Sequence, residues 1–276
     1  MRRPFRWIAF GFVSLSLVAL LGLYPYRDAL LPVDDDLAHA KARLAPHLRL
    51  LTPPGDGPFA TVLVFHGCSG QRQEMVKSVT DWVLPAGYAV LFVDSYGARG
   101  ITDWQPVCAG KRLWGNQRAL DVYAALELTT DYPQIDSQRL ALLGFSHGGW
   151  SILDALSYAG EAGHGFSAPG QQGLARVRAA VTYYPYCGFP AHLRGHLQPA
   201  IPQLMLLADQ DRITDHQQCL EALQQLAPGS VQLQQYAAAD HVFDHESDLA
   251  TYQPQLAKDA QQRVSRFLRT HLGSTR

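Results

Sequence analysis

Short apolar runs alternate along this chain with longer segments of helical periodicity. The runs are too short for helices and are bounded by turn residues, so they predict buried strands at 61–65, 88–93, 139–143, 177–183, 203–208 and 231–235. Apolar residues spaced by three and four predict helices at 73–84, 113–130, 147–158, 217–226 and 254–272. Continuous apolar strands alternating with helices predict the α/β class, with a doubly wound, mostly parallel sheet.

The N-terminus follows a different pattern. Arg2, Arg3 and Arg6 precede an uncharged stretch over 7–26 that is rich in Leu, Val, Phe and Ala. A basic flank before an apolar segment of about 20 residues is typical of a transmembrane signal anchor or a signal peptide. We therefore predict a signal anchor or signal peptide over 1–33, a linker over 34–58 and one domain over 59–276. No convincing small-x-small cleavage site precedes Tyr24, which favours an uncleaved anchor over a cleaved signal or a core helix.

This reading places the domain on the far side of the membrane, in the periplasm if the cell is Gram-negative. The even count of 4 cysteines fits that location, because oxidising compartments allow two disulfides in any of three pairings. Four buried free thiols are the alternative. The formal net charge of -1, with no long block of either sign, gives no electrostatic support for nucleic-acid binding.

The motif Gly144-Phe145-Ser146-His147-Gly148 follows a predicted strand and opens a predicted helix. This G-x-S-x-G pattern in that context predicts a nucleophile elbow, in which the serine sits on a sharp strand-to-helix turn. Side chains at the glycine positions would collide with neighbouring strands. A helix N-cap is the ordinary alternative for Ser146.

A serine nucleophile needs a histidine base and an acid that orients it, and here they are expected in the chain order serine, acid, histidine. Asp211 follows the predicted strand 203–208 and is preferred to Asp209 because it lies deeper in the loop. His241 follows the last predicted strand, with His245 as the runner-up. A helix cap for Asp211 and a loop histidine for His241 are the individual alternatives.

The oxyanion hole requires two backbone N–H groups. We expect them from His147, directly after the nucleophile, and from Cys68, in the loop after the first strand of the domain. The acidic residues and histidines over 240–246 resemble metal ligands, but no further ligand joins them at a suitable spacing. We predict no metal and no organic cofactor.

Several motifs together resemble the dienelactone hydrolase family of α/β-hydrolases. They are HGCSG at 66–70, VDSYGARG at 93–100, GFSHGG at 144–149, the loop of Asp211 and DHVF at 240–243. The resemblance covers about 60–268 and implies hydrolysis of an ester or lactone by a nucleophile–Asp–His triad. Two departures are that the founding enzymes have a cysteine nucleophile, where this chain has Ser146, and a glutamate where it has Gly67.

The same resemblance indicates substrate-binding and disulfide residues. Arg99 resembles one of two arginines that hold the substrate carboxylate. His245 stands where the second is expected, and an imidazole does not replace a bidentate guanidinium, so the resemblance does not imply a full carboxylate clamp. An ion pair with Asp94 or Asp103 is the structural alternative for Arg99. Tyr184 is a candidate substrate-binding residue among aromatic side chains that include Trp150, Tyr183, Tyr186 and Phe189. Core packing is the alternative explanation for most of these side chains. The expected disulfides are Cys68–Cys108 and Cys187–Cys219.

The sequence thus predicts a serine hydrolase of a small-molecule carboxylic ester or lactone, held at a membrane by its N-terminal helix. An acyltransferase using the same triad and a non-catalytic binding protein that retains the fold are the alternatives. A degenerate binding protein should have lost a triad residue, whereas all three candidates are present.

Overall fold

The computed structural model describes residues 22–27, 33, 35–158, 172–193 and 201–273. The predicted membrane or signal segment at 1–33 falls mostly outside these residues. Within the part of the chain that is described, no helix is both long enough and apolar enough to cross a membrane.

A seven-stranded sheet forms the centre of the domain, with the order β1-β3-β2-β4-β5-β6-β7. The strands are β1 (Leu48–Leu51), β2 (Phe59–Phe65), β3 (Ala89–Val93), β4 (Ile135–Phe145), β5 (Val177–Tyr183), β6 (Gln203–Ala208) and β7 (Val231–Tyr236). All neighbouring strands are parallel except β1, which pairs antiparallel with β3. The carboxyl ends of the six parallel strands therefore meet at one edge of the sheet.

Helices cover both faces of this sheet. They are α1 (Leu37–Leu44), α2 (Gln73–Val83), α3 (Gln105–Cys108), α4 (Gly115–Leu128), α5 (His147–Tyr158), α6 (His216–Gln224) and α7 (Pro254–Leu272). One apolar core joins α1, α4 and α5 to residues such as Leu63 and Phe65, whereas the other joins α2 and α7 to Val62 and Val64. Alternate residues of β2 thus enter opposite cores, as the period of a strand requires. The predicted doubly wound α/β class is confirmed.

The segment predicted as a linker, 34–58, is instead partly folded into the domain. It contains α1 and β1, and the register of β1 places Leu48 opposite Val93. β1 is short and partly exposed, and one of its four residues is Arg49. Such a strand carries little periodicity of its own, so its pairing depends on the neighbouring strand rather than on local sequence.

The two expected disulfides are confirmed. Cys68 is bonded to Cys108, and Cys187 is bonded to Cys219. The first connects the loop after β2 to the end of α3. The second connects the loop after β5 to α6 and lies in a small apolar core.

Helix α5 approaches β2 closely because Gly148 has no side chain. A Cβ atom at this position would lie 2.1 Å from the Phe65 carbonyl oxygen and 2.7 Å from that of His66. Both atoms belong to the backbone of the sheet and its adjoining loop, so they cannot rotate away. Gly67 faces the same region, but a Cβ there would make ordinary contacts of 3.6 Å.

We predict that Gly148→Ala lowers the free energy of unfolding by about 3 kcal/mol or more, because α5 would have to separate from β2. Gly67→Ala is the matched control and should change it by less than about 1 kcal/mol. Urea titrations followed by tryptophan fluorescence measure both values. Equal unfolding midpoints for the two variants would contradict this account of the helix–sheet contact.

Candidate active site

Ser146 lies on the turn between β4 and α5, at the carboxyl edge of the sheet. Its φ angle is 49°, and its N–H donates to the Tyr183 carbonyl at the end of β5 over 2.9 Å. A left-handed conformation is unusual for serine and signals local strain. At Gly144 a Cβ atom would lie 2.6 Å from the Gly149 nitrogen, so the turn requires glycine there. This geometry is that of the predicted nucleophile elbow.

Asp211 and His241 are hydrogen-bonded to each other beside this turn. The Asp211 Oδ2 atom accepts from His241 Nδ1 over 2.7 Å and from the Thr214 hydroxyl over 2.8 Å. Its Oδ1 atom accepts from the N–H groups of Ile213 at 2.8 Å and Thr214 at 2.7 Å. Because these contacts hold the carboxylate on both oxygens, they also orient the imidazole. Nδ1 carries the proton in this arrangement, which leaves Nε2 able to accept one.

The two runner-up residues make other contacts. Asp209 accepts a hydrogen bond of 3.2 Å from Gln235, and His245 Nδ1 accepts from the Ser247 N–H over 3.4 Å. Asp240 accepts from the Arg212 N–H over 3.0 Å. Among the described residues, no three His, Cys, Asp or Glu side chains are grouped so that they could hold a metal ion.

The loop after β2 holds the peptide that carries the Cys68 N–H. The Gly67 carbonyl accepts from the Gly70 N–H over 3.2 Å and from His66 Nδ1 over 2.7 Å. In a trans peptide the N–H points away from the carbonyl, so the Cys68 N–H is directed away from this bonded side. The His147 N–H belongs to the first turn of α5 and has no acceptor within the helix. Cys68, His147 and Ser146 line the same cavity.

Backbone strain is concentrated around this edge of the sheet. Within the described part of the chain, the non-glycine residues with positive φ are Leu113, Ser146, Tyr184 and Val242. The Leu113 carbonyl accepts a 2.7 Å hydrogen bond from His147 Nε2, and the Tyr184 ring packs 4.5 Å from His241. Val242 directly follows the histidine. Such clustering is typical of functional sites, where surrounding structure holds unfavourable backbone angles.

Arg118, on α4, connects the segments that form the site, and sequence reasoning missed it. Its side chain is completely buried. One guanidinium nitrogen donates to the His66 carbonyl over 2.7 Å and lies 3.2 Å from His147 Nδ1, while Nε donates to the Ser95 hydroxyl over 2.9 Å. Burial lowers the pKa of Arg118 to about 10, so it stays charged at neutral pH. The available signal was the pair of charged residues Arg118 and Asp121, which stand within one turn of an otherwise largely apolar helix.

The two histidines next to Arg118 are held neutral. Burial and the nearby Arg118 charge lower the pKa of His147 to about 3 and that of His66 well below its ordinary value. His147 Nε2 therefore donates a hydrogen bond to the Leu113 carbonyl, and His147 Nδ1 accepts a hydrogen bond from the Arg118 guanidinium. The nucleophile turn thus has an uncharged imidazole beside it.

The two candidate substrate-binding residues lie away from this cavity wall. Arg99, predicted to bind substrate, forms a two-pronged ion pair with the buried Asp121, at 2.6 and 2.8 Å. The structural alternative was therefore right in kind, but its partner is neither Asp94 nor Asp103. The Tyr184 hydroxyl donates to Asp244 over 2.5 Å, and its ring is buried against His241. Neither side chain is among the residues that line the cavity.

The fold and the site together define a class: a doubly wound α/β domain with a strained serine elbow and an acid–histidine pair at the carboxyl edge. The profile of the dienelactone hydrolase family matches residues 48–272. The chain belongs to the dienelactone hydrolase family. It is accordingly a hydrolase of carboxylic esters or lactones.

Individual relatives are distant. A protein of Synechocystis sp. named "Putative carboxymethylenebutenolidase" is 24% identical over 249 residues, covering 81% of this chain and 91% of the relative. Dipeptidyl peptidase family member 6 of Caenorhabditis elegans is 27% identical over 141 residues, but this match covers 45% of the chain and spans only 19% of that relative. A solved structure from Klebsiella pneumoniae, titled "Putative Dienelactone Hydrolase", has a TM-score of 0.61 at 17% identity, covering 81% and 99% of the two chains.

We predict that the fold loses stability as the pH falls from 6.5, the ordinary pKa of histidine, towards about 3, the pKa of folded His147. In this window the unfolded chain binds a proton that folded His147 does not, so stability is complete above the window. The loss is about 1.4 kcal/mol per pH unit for each such group. Urea titrations between neutral and acidic pH measure the slope.

His147→Gln should lower this slope, since glutamine does not titrate. His39, whose side chain is 72% exposed, provides the matched control, and His39→Gln should keep the wild-type slope. Identical slopes for all three proteins would show that His147 is not held neutral by the fold.

Proposed function

We propose that Ser146, His241 and Asp211 form a catalytic triad that hydrolyses a carboxylic ester or lactone through an acyl-enzyme. The observation that carries this proposal is the 2.7 Å bond between Asp211 and His241 Nδ1 at the same sheet edge as the strained Ser146 turn. The acid loop also reaches the nucleophile, because Ile213 and Thr214 line the cavity that contains Ser146.

In the first half of the reaction, the Ser146 hydroxyl attacks the carbonyl carbon and its proton passes to His241 Nε2. Asp211 stabilises the resulting imidazolium and keeps its orientation. Negative charge develops on the carbonyl oxygen, which the N–H groups of Cys68 and His147 stabilise as an oxyanion hole. The tetrahedral intermediate then breaks the bond to the alcohol oxygen, and His241 delivers its proton to that oxygen.

In the second half, water attacks the acyl group on Ser146 and His241 accepts the water proton. Collapse of the second intermediate releases the carboxylic acid and returns the proton to Ser146. With a lactone, the alcohol and the acid are parts of one product. The Synechocystis relative, named as a carboxymethylenebutenolidase, supports this ester or lactone class.

We predict that a fluorophosphonate probe forms one adduct on the full chain and none on Ser146→Ala, as measured by intact mass. Ser151→Ala is the control, because this buried hydroxyl lies on the same helix and donates to the His147 carbonyl.

Asp211→Asn should slow ester hydrolysis about a thousandfold or more, since it disturbs the imidazole tautomer. Asp209→Asn removes the neighbouring carboxylate and should retain nearly full activity.

Two results would overturn the proposal. One is a wild-type protein, folded and oxidised, that forms no adduct. The other is equal loss of activity in Asp209→Asn and Asp211→Asn, which would assign the effect to the loop rather than to the acid of a triad.

We also propose that the domain acts outside the cytoplasm. Its two disulfides, Cys68–Cys108 and Cys187–Cys219, support this location because such bonds persist in oxidising compartments. Alkylation of thiols in rapidly quenched cells, followed by intact mass, should add no label to the four cysteines. Four alkylated cysteines in the cellular protein would contradict an extracytoplasmic location.

A further inference from the structure

A cavity of about 280 Å³ opens beside Ser146, and five aromatic side chains form part of its wall. They come from separate parts of the chain and comprise Tyr26, Trp114, Trp150, Tyr186 and Phe189. Of the aromatic residues singled out in the sequence, Trp150, Tyr186 and Phe189 line it, whereas Tyr183 lies in the core. The volume is near the lower end of the range for small-molecule sites, about 300 Å³.

The aromatic rings support one another around this cavity. Trp114 and Trp150 meet edge to face at 6.2 Å, and Trp150 lies 4.9 Å from Tyr186. Tyr26 lies 5.7 Å from Trp114 and 5.4 Å from Phe189. The Tyr26–Phe189 contact is also edge to face, whereas the other two contacts are tilted. Such contacts favour defined ring orientations, so the five rings form a packed aromatic part of the cavity wall.

Helix α4 packs against the Trp150 indole and limits its position. A Cβ atom at Gly115 would lie 2.3 Å from the Trp150 indole, so the indole occupies the space that a side chain would need. The position of the Trp150 ring, and with it the cavity size, therefore depends on this glycine.

The cavity wall carries no formal charge at neutral pH among the described residues that line it. His147 is its one ionisable histidine, and burial together with Arg118 keeps it neutral. The Arg118 guanidinium is completely buried and bonded to His66 and Ser95, and Arg99 is paired with Asp121. An anionic ligand group that entered this cavity would thus lose part of its hydration without meeting a cation among the described residues that line it.

We propose that this cavity binds an uncharged aromatic or compact apolar group of the ester, of about one ring, and discriminates against the same group bearing a carboxylate. This inference rests on the proposed serine-hydrolase function and names the substrate class of that site. If the cavity instead bound a substrate carboxylate, its basic partners would be Lys111 and Arg112. Both residues are exposed and follow the lining residues Ala109 and Gly110.

The test compares esters that differ only by a carboxylate, and two pairs identify which side of the ester enters the cavity. On the acyl side, 4-nitrophenyl benzoate is compared with 4-nitrophenyl 4-carboxybenzoate. On the alcohol side, phenyl acetate is compared with 4-carboxyphenyl acetate. At least one pair should show a kcat/KM for the neutral ester at least about tenfold higher, because an unpaired buried charge is costly.

A positive charge introduced at the cavity should weaken this discrimination. Phe189 lines the cavity and is 45% exposed, so Phe189→Arg can be accommodated at the rim. We predict that this variant lowers the neutral-to-carboxylate ratio of kcat/KM at least about tenfold. Leu249, which is 77% exposed and outside the cavity, gives the matched control, and Leu249→Arg should keep the wild-type ratio.

Failure of this inference is distinguishable from failure of the proposed function. Equal or faster turnover of the carboxylated esters by a protein whose Ser146 reacts with the fluorophosphonate would overturn the substrate class alone. A matching drop in the ratio for Leu249→Arg would assign the effect to overall charge and would also overturn it. An unreactive Ser146 would overturn both proposals.

Discussion

The close contact between the end of β2 and the nucleophile turn is the constraint on which the site depends. Gly148 allows α5 to approach the Phe65 carbonyl, and Arg118 bonds to the next carbonyl, that of His66. The same guanidinium reaches the His147 ring. As a result, the two segments that provide the proposed oxyanion-hole donors are held together by the buried Arg118 side chain. The absence of a side chain at Gly148 allows them to lie this close.

A buried cation at this place has consequences for the charges around it. Arg118 lowers the pKa of both His66 and His147, which burial has already lowered. Each imidazole is therefore neutral and can accept or donate a hydrogen bond with defined polarity. Arg99, one helix turn from Ser95, is paired with Asp121 instead of facing the cavity. Arg118 and Arg99 thus lie behind the cavity wall, and the described residues that line it carry no formal charge.

This arrangement separates the chain from the carboxylate-binding pattern that its family resemblance suggested. Ser146 stands where a cysteine is expected, and His245 packs against Phe145 where a second arginine is expected. The positioning of the acid–histidine pair and of the elbow is kept. Of the two arginines that would hold a substrate carboxylate, one is replaced by His245 and the other, Arg99, is paired with Asp121. The residues proposed for hydrolysis and those proposed for substrate selection are thus different, and they lie at one edge of the same sheet.

The sequence by itself determined the α/β class, most element positions and the candidate triad, because strand runs, helix periodicity and the elbow motif are local patterns. Helix α5 and strands β5 and β6 have the predicted bounds. The sequence also favoured Asp211 over Asp209 as the acid, because Asp211 lies deeper in the loop and its side chain can therefore reach the histidine. Only the tertiary structure decided the pairing of β1, the role of Arg118, the Arg99–Asp121 ion pair and the uncharged cavity wall. These features join residues that are far apart in the chain, such as Tyr26 and Trp114. Whether such residues are buried or paired with an opposite charge depends on tertiary packing, which local sequence patterns do not show.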